Sequence, residues 1–106
     1  MDIQLKRGIL DVLVLSTLVG GDSYGYQIIK DLSSVAEISE STLYPILKRL
    51  EAGGFLTVYS VEHNGRLRKY YSITPRGRAR IDEFLCEWKD VVRICDFIER
   101  SRRNTR

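Results

Sequence analysis

Residues 55–73 read FLTVYSVEHNGRLRKYYSI, two runs rich in β-branched and aromatic side chains on either side of Asn64-Gly65. Asn-Gly is the preferred pair for a two-residue type I′ turn, because both positions need a positive φ. A turn at 64–65 pairs residue 63 with 66, 58 with 71 and 56 with 73. In this register the apolar side chains share one face, namely Leu56, Val58, Tyr71 and Ile73. A slip of one residue would move them off that face, so the stretch predicts a β-hairpin.

Two helices are predicted at the start of the chain. The first, over about residues 6–19, is apolar on almost every side and ends at Gly20-Gly21. A helix of this kind is buried on more than one side, and in a chain of 106 residues we expect one side to meet a partner. Asp22 or Ser23 is expected to cap the second helix, over about 24–34.

A third helix is predicted immediately before the hairpin. It ends near Ala52, and its apolar residues recur at i, i+3, i+4 and i+7: Leu43, Ile46, Leu47 and Leu50. Ser39 or Ser41 can cap it. Pro45 has no N–H, so a start near Ser41 is favoured because only the first intrahelical bond is then lost.

The last predicted helix starts after the Thr74-Pro75 pair, where a cap and a first-turn proline belong, and runs to about Arg100. At 1.5 Å per residue this is roughly 39 Å, longer than a domain of this size is wide. It carries an apolar stripe of the helix-packing type: Ile81, Phe84, Leu85, Trp88, Val91, Val92 and Cys95. Because the chain offers too little to cover this stripe, we expect a second copy of the chain to form a homodimer through it.

Composition excludes several classes of protein. With 43% hydrophobic and 29% charged residues, the chain is neither a disordered nor a membrane protein. Its longest apolar run is only Val12–Leu15, and Asp11 interrupts the one stretch that resembles a signal peptide. Cys86 and Cys95 are too far apart on one helix to pair, as expected in a reducing cytosol. We therefore expect a cytoplasmic protein and, with a single histidine, no metal and no cofactor.

The charge distribution points to a polyanion. The net charge is +3, but residues 41–80 carry eight basic side chains against two acidic ones. Such a basic block favours contact with nucleic acid, although a merely solvated face explains the charge equally well. Three of these cations, Arg66, Arg68 and Lys69, follow the hairpin turn, where they stabilise no fold but are placed to neutralise phosphates.

Three helices, a hairpin and a long last helix predict a mostly α winged helix-turn-helix. We divide it into a DNA-binding part, residues 1–74, and a dimerisation helix with a basic tail, residues 75–106. An α-helix fits the major groove of B-DNA, and a hairpin can follow the backbone beside it. The third helix turns a polar, basic side outward around Ser41 and Lys48. For Tyr44 and Arg49 there are alternatives: Tyr44 packs on the hairpin, and Arg49 pairs with a carboxylate.

These segments resemble a known family. Ser41–Glu51, Gly54–Leu56, Gly65–Thr74 and Tyr24-Gly25-Tyr26 are similar to the PadR-like transcriptional regulators of bacteria. Members of this family are dimeric DNA-binding proteins, and most of them are repressors. The resemblance therefore implies a dimeric DNA-binding protein of the short class, which has one C-terminal helix. It also implies DNA contacts from the third helix, from the hairpin and, more weakly, from the first helix: Ser41, Thr42, Tyr44, Lys48, Arg49, Asn64, Gly65, Arg66, Lys69 and Lys6.

The chain departs from the family pattern at Ser41, where glycine is common, and at Leu67, where proline is common. Some short members bind flat aromatic compounds between the subunits near a tryptophan, and Trp88 occupies that kind of position. Plain packing in the dimer is the alternative interpretation of Trp88.

The leading hypothesis is a homodimeric transcriptional regulator, a repressor released by a small planar aromatic molecule or another signal, which binds an inverted repeat in double-stranded DNA and no membrane. The alternative is a winged-helix module that binds proteins, and a salt-dependent shift of a DNA fragment would separate the two. An enzyme is not expected, because the sequence has no motif that pairs a nucleophile with a base and no phosphate-binding glycine loop.

Overall fold

The computed structural model describes the backbone of residues 3–104 and the side chains of residues 8–104. Within that part, the elements in chain order are the helices α1 (Ile3–Ser16), α2 (Gly25–Leu32) and α3 (Glu40–Ala52), the strands β1 (Leu56–His63) and β2 (Arg66–Ile73), and the helix α4 (Pro75–Arg103). This order confirms the predicted winged helix-turn-helix with a long last helix. We call the β1–β2 hairpin the wing.

The wing has the predicted register. Leu56 pairs with Ile73, Val58 with Tyr71, and His63 with Arg66. Asn64 and Gly65 have φ values of 51° and 78°, as a type I′ turn requires. The inward face is the predicted one, since Leu56 and Tyr71 are buried.

The first helix starts and ends about three residues earlier than predicted, and the cap of the second differs. α1 ends at Ser16 and continues as turns, in which the hydroxyls of Ser16 and Thr17 donate to the carbonyls of Leu13 and Val14, both at 2.7 Å. Such bonds compete with helix propagation. Neither Asp22 nor Ser23 caps α2, whose N-cap residue is Tyr24 without a side-chain capping bond.

Ser23 lies one residue before this N-cap position and pairs with the wing through its backbone. Its N–H donates to the carbonyl of Tyr71 at 3.1 Å, and the N–H of Tyr71 donates back at 2.7 Å. This isolated bridge gives β2 a second neighbour on the edge opposite β1. The segment before α2 is therefore fixed to the root of the wing.

The favoured start of α3 at Ser41 was wrong. Ser39 is the N-cap residue, and its hydroxyl accepts from the N–H of Thr42 at 3.3 Å. The two extra residues place Glu40 in the first turn, where the helix dipole favours a carboxylate. Pro45 then costs one internal hydrogen bond, which the cap and the longer helix offset.

The core lies between the first three helices and the inner face of the wing. Its fully buried members come from α1 and the turn after it, α2, α3 and β1: Val14, Leu15, Leu18, Ile28, Leu43, Leu47 and Leu56. At the corner before α4, Thr74 accepts from the N–H of Gly77 at 3.1 Å and donates to the carbonyl of Gly54 at 2.7 Å. A Cβ at Gly77 would lie 2.2 Å from the carbonyl oxygen of Phe55, so close packing fixes the direction of α4.

α4 projects from this body. It has 29 residues, about 44 Å at the usual rise, and the longest extent of the molecule is 70 Å. Ile81 packs against the core, but from residue 85 to residue 104 every side chain is exposed. No helix in the described part is long and apolar enough to cross a bilayer.

Candidate nucleic-acid interface

A crevice of about 810 Å³ opens between the wing, the start of α2 and the N-terminal half of α3. Its lining contains three cations and no carboxylate: Arg66, Arg68 and Lys69. Four tyrosines contribute rings and hydroxyls: Tyr24, Tyr26, Tyr44 and Tyr71. A concave surface that is rich in cations and free of acids attracts polyanions. We call it the wing crevice.

The tip of the wing keeps its charges unpaired among the described side chains. The ion pairs among the described side chains join Arg49 to Asp11, Arg93 to Asp90 and Arg102 to Glu99. None of them includes Arg66 or Lys69. Arg68 is different, because its guanidinium lies 4.2 Å from the centroid of the Tyr24 ring. This cation–π contact ties Arg68 to the segment before α2.

The exposed side of α3 carries the predicted polar residues. Ser41, Thr42, Tyr44 and Lys48 are all exposed. The hydroxyls of Ser41 and Thr42 lie 2.8 and 3.2 Å from that of Ser39, so they belong to the cap network of the helix. Each hydroxyl still has hydrogen-bonding capacity for a phosphate or a base edge.

Tyr44 combines exposure with a fixed position. It is 44% exposed, yet a Cβ added at Gly25 would lie 2.6 Å from its hydroxyl oxygen. The absence of a side chain at Gly25 therefore makes room for Tyr44. Its hydroxyl end lies against the start of α2, and Tyr44 also lines a groove with Tyr71 of the hairpin, the neighbour that the sequence-based alternative named.

Arg49 forms the ion pair that the alternative interpretation named. Its guanidinium pairs with Asp11 on α1, and the two side chains are 40% and 19% exposed. The pair joins α3 to α1, and Arg49 is not among the residues that line the wing crevice. The planar group has five N–H donors, so donors remain on its outer edge.

A second groove, of about 490 Å³, lies between α3 and the inner face of the wing. Lys48 enters it from α3 and Lys69 from β2, with Glu51 and Tyr71 between them. The pKa of the Tyr71 phenol is raised, mainly because the group is partly buried and to a smaller extent because Tyr44 and Glu51 lie nearby. The groove thus joins a candidate from the helix to one from the wing.

The outer face of the wing carries an aromatic network that the sequence analysis missed. Tyr59 stacks on Tyr70 with 5.7 Å between centroids, and Tyr24 meets Tyr70 edge-on at 5.6 Å. The Tyr59 hydroxyl donates to Asp22 at 2.5 Å. Hydrogen bonds from Tyr59 and Ser72 lower the pKa of Asp22, and the bond to Asp22 raises the pKa of Tyr59. The predicted register already placed Tyr59 opposite Tyr70, but no sequence signal brought Tyr24 to the sheet.

The remaining candidates lie elsewhere. The side chain of Lys6 is outside the described residues, although its backbone belongs to α1. Trp88 lies on α4, 37% exposed, and its ring stacks on Phe84 at 5.9 Å. Leu85, Val91 and Val92 are 52%, 38% and 46% exposed. The structure thus separates a basic surface on the wing and α3 from an apolar surface on α4.

These features define a winged helix-turn-helix protein with a basic crevice beside its third helix. The model of the transcriptional regulator PadR-like family matches residues 14–83. The chain belongs to this family of transcriptional regulators, as its motifs predicted, and its relatives are not enzymes.

Similar proteins agree over most of the chain. A transcriptional regulator from Clostridium thermocellum is 35% identical, with a TM-score of 0.79, and the match covers 88% of this chain and 95% of that one. A transcriptional regulator from Mycobacterium tuberculosis is 33% identical over 81 residues, 76% of each chain. PadR of Bacillus subtilis, solved in complex with operator DNA, is 26% identical, with a TM-score of 0.67, and the match covers 73% of this chain and 46% of that one.

Proposed function

We propose that the protein represses transcription in the cytoplasm by binding an inverted repeat in double-stranded DNA as a homodimer, and that a signal releases it. The observation that carries the proposal is the wing crevice, which gathers Arg66, Arg68 and Lys69 without a carboxylate beside the exposed side of α3. The operator complex of the Bacillus subtilis relative supports the same partner for this chain.

The candidate residues divide by the rigidity of their support. Tyr44 and Lys48 lie on a helix whose other side is buried in the core, so they can hold the fixed geometry that base recognition needs. Ser41, Thr42 and the outer edge of Arg49 flank them. Asn64, Gly65, Arg66 and Lys69 are exposed on the wing and suit the phosphate backbone. Lys6 stays a proposed contact at the start of α1.

The homodimer is proposed from the exposed stripe on α4. Burying a large aliphatic or aromatic side chain stabilises by roughly 1.5–3 kcal/mol, and this stripe leaves several such groups in water: Leu85, Trp88, Val91 and Val92, with Cys95 beside them. Ile81 and Phe84 continue it toward the body. A second copy offers the same stripe, so the two can cover each other. Residues 1–74 then bind DNA and residues 75–106 dimerise.

Release of the DNA is proposed to involve the dimer surface around Trp88. The indole stacks on Phe84 with an interplanar angle of 14°, and a planar aromatic compound could stack on such rings in the same way. Trp88 is the only tryptophan, so saturable quenching of its fluorescence reports binding. A flat titration across a varied panel would leave Trp88 with packing alone.

The proposal is tested with charge-matched variants. Duplexes selected by the wild-type protein from a random pool are titrated with Arg66→Ala/Lys69→Ala and with Arg93→Ala/Arg102→Ala, which removes two charges from α4 instead. Each lost phosphate contact reduces the size of the slope of log affinity against log salt by about 0.9. The wing variant loses two contacts per protomer and four per dimer, so its slope should be smaller by about 3.6. The α4 variant should keep the wild-type slope. A protein that shows no salt-dependent duplex binding, or equal slopes for all three, would favour the protein-interaction module.

A further inference from the structure

Leu67 is the most exposed large apolar side chain in the described part of the molecule, at 76%. It lies on β2 directly after Arg66, opposite Glu62 in the register. Alternation along the strand puts it on the same face as Lys69 and Tyr71, and it lines the wing crevice with them. A leucine therefore projects from the cationic tip of the wing toward the side on which the crevice opens.

The fold gains almost nothing from this leucine. A side chain so exposed contributes little to the core, whereas covering it would strengthen a complex roughly tenfold or more. Arg66, Arg68 and Lys69 surround it in sequence. Its partner must therefore present anions at its edge and apolar surface between them. The minor groove of duplex DNA has this chemistry, because phosphates line its rims and deoxyribose and base edges form its walls and floor.

We propose that Leu67 enters the minor groove beside the major groove that α3 occupies, and that it wedges against a base step and bends the duplex. This inference rests on the proposed DNA binding. From Tyr71 to the turn, the wing reaches about 20 Å, and the neighbouring minor groove lies about half of a 34 Å helical turn away. Inserted leucines partly unstack base steps and kink DNA by about 20–90°. Flexible steps such as TA cost least to open.

The test measures DNA bending by energy transfer between dyes at the two ends of a selected duplex about three helical turns long. The proteins are the wild type, Leu67→Ala, Leu67→Met and Val61→Ala. Val61 is the matched control, since it is 42% exposed on the same wing but belongs to the opposite face. Wild type, Leu67→Met and Val61→Ala should bend the duplex. Leu67→Ala should leave it straighter and bind roughly tenfold more weakly, with an unchanged salt slope.

The duplex sequence provides a second comparison. Replacing a TA step under the wing by a stiffer step should weaken the wild type and leave Leu67→Ala unaffected. An unchanged bend in Leu67→Ala would overturn the inference, and so would an effect of Val61→Ala equal to that of Leu67→Ala. A wild type that binds no duplex would instead refute the proposed function, before any bend is measured.

Discussion

At the scale of single residues, the wing and α3 support their side chains differently. Lys48 projects from a helix whose buried side is fixed by Leu43 and Leu47, while Arg66 follows the two turn residues of a hairpin. A fixed geometry on a packed helix allows base recognition, whereas an exposed cation at a hairpin tip suits phosphate, which can be contacted without a base-specific geometry. We therefore propose that α3 supplies base recognition and that the cations of the wing supply affinity for DNA of any sequence.

Lys48→Ala is therefore expected to reduce the difference in binding free energy between selected and random DNA by about 1–3 kcal/mol. Arg66→Ala should weaken binding to both sequences alike, because it removes one phosphate contact from each protomer. Competition titrations with both duplexes measure the two effects. Loss of sequence preference in Arg66→Ala, with an unchanged salt slope, would reverse the assignment.

The bond between Tyr59 and Asp22 predicts a pH dependence of stability at both extremes. The pKa of Asp22 is lowered from 3.8, so its contribution is present above that value and is lost as the pH falls through the lowered pKa. The pKa of Tyr59 is raised from 10.0, so its contribution is present below that value and is lost as the pH rises through the raised pKa. Between pH 3.8 and pH 10.0, the contribution of this bond to the free energy of unfolding is constant.

Tyr59→Phe should return the pKa of Asp22 toward its ordinary value, because the largest cause of the shift is removed. A carbon-13 NMR titration of the side-chain carboxyl measures it. Tyr26→Phe is the control, since Tyr26 is 68% exposed and lies on α2. An Asp22 that titrates identically in wild type and Tyr59→Phe would show that the bond does not form in solution.

At the scale of elements, Thr74 connects α4 to the body. Its hydroxyl caps the helix and also reaches the carbonyl of Gly54, so its loss leaves two groups unpaired. Thr74→Ala should lower the free energy of unfolding by about 1–2 kcal/mol, and Thr74→Ser should retain most of it. Urea denaturation of the wild type and the two variants measures the free energy of unfolding. If Thr74→Ala and Thr74→Ser lose the same amount, the stabilisation comes from the threonine methyl group and not from the hydroxyl.

The sequence predicted elements well where the signal was local. The type I′ turn at Asn64-Gly65 set the register of the wing, and Thr74-Pro75 set the start of α4. Helix ends that depend on distant contacts were missed. The bridge from Ser23 to Tyr71 joins segments 48 residues apart in the chain, and no local pattern announces it. The sequence allowed a cap at Ser39 or at Ser41. The cost of the hydrogen bond lost at Pro45 favoured a start near Ser41, but this cost did not include the free energy gained from a longer helix.

The sites follow the same rule. The sequence supplied the cations of the wing crevice, but their arrangement without carboxylates is a property of the folded chain. For Arg49 the sequence left two interpretations open, and only the packing of α3 against α1 brought Asp11 to it. The contacts of Tyr24 with Tyr70 and Arg68 likewise depend on the bridge between Ser23 and Tyr71.

At the scale of the whole molecule, charge and apolar surface are separated. The wing and α3 present cations, whereas α4 presents an uncovered stripe far from them along a molecule 70 Å long. Such a division fits two copies joined through α4 and α1 that hold two basic surfaces toward one duplex. Two recognition helices related by a dimer axis contact half-sites about one helical turn, roughly 34 Å, apart.

Hydroxyl-radical footprinting on a selected duplex tests this central claim most directly. The wild type should protect two symmetry-related windows about 34 Å apart. Leu85→Asp/Val92→Asp places four carboxylates in the proposed dimer surface, so it should protect neither window at the same concentration. A single unsymmetrical window for the wild type, or two intact windows for the double variant, would contradict the account.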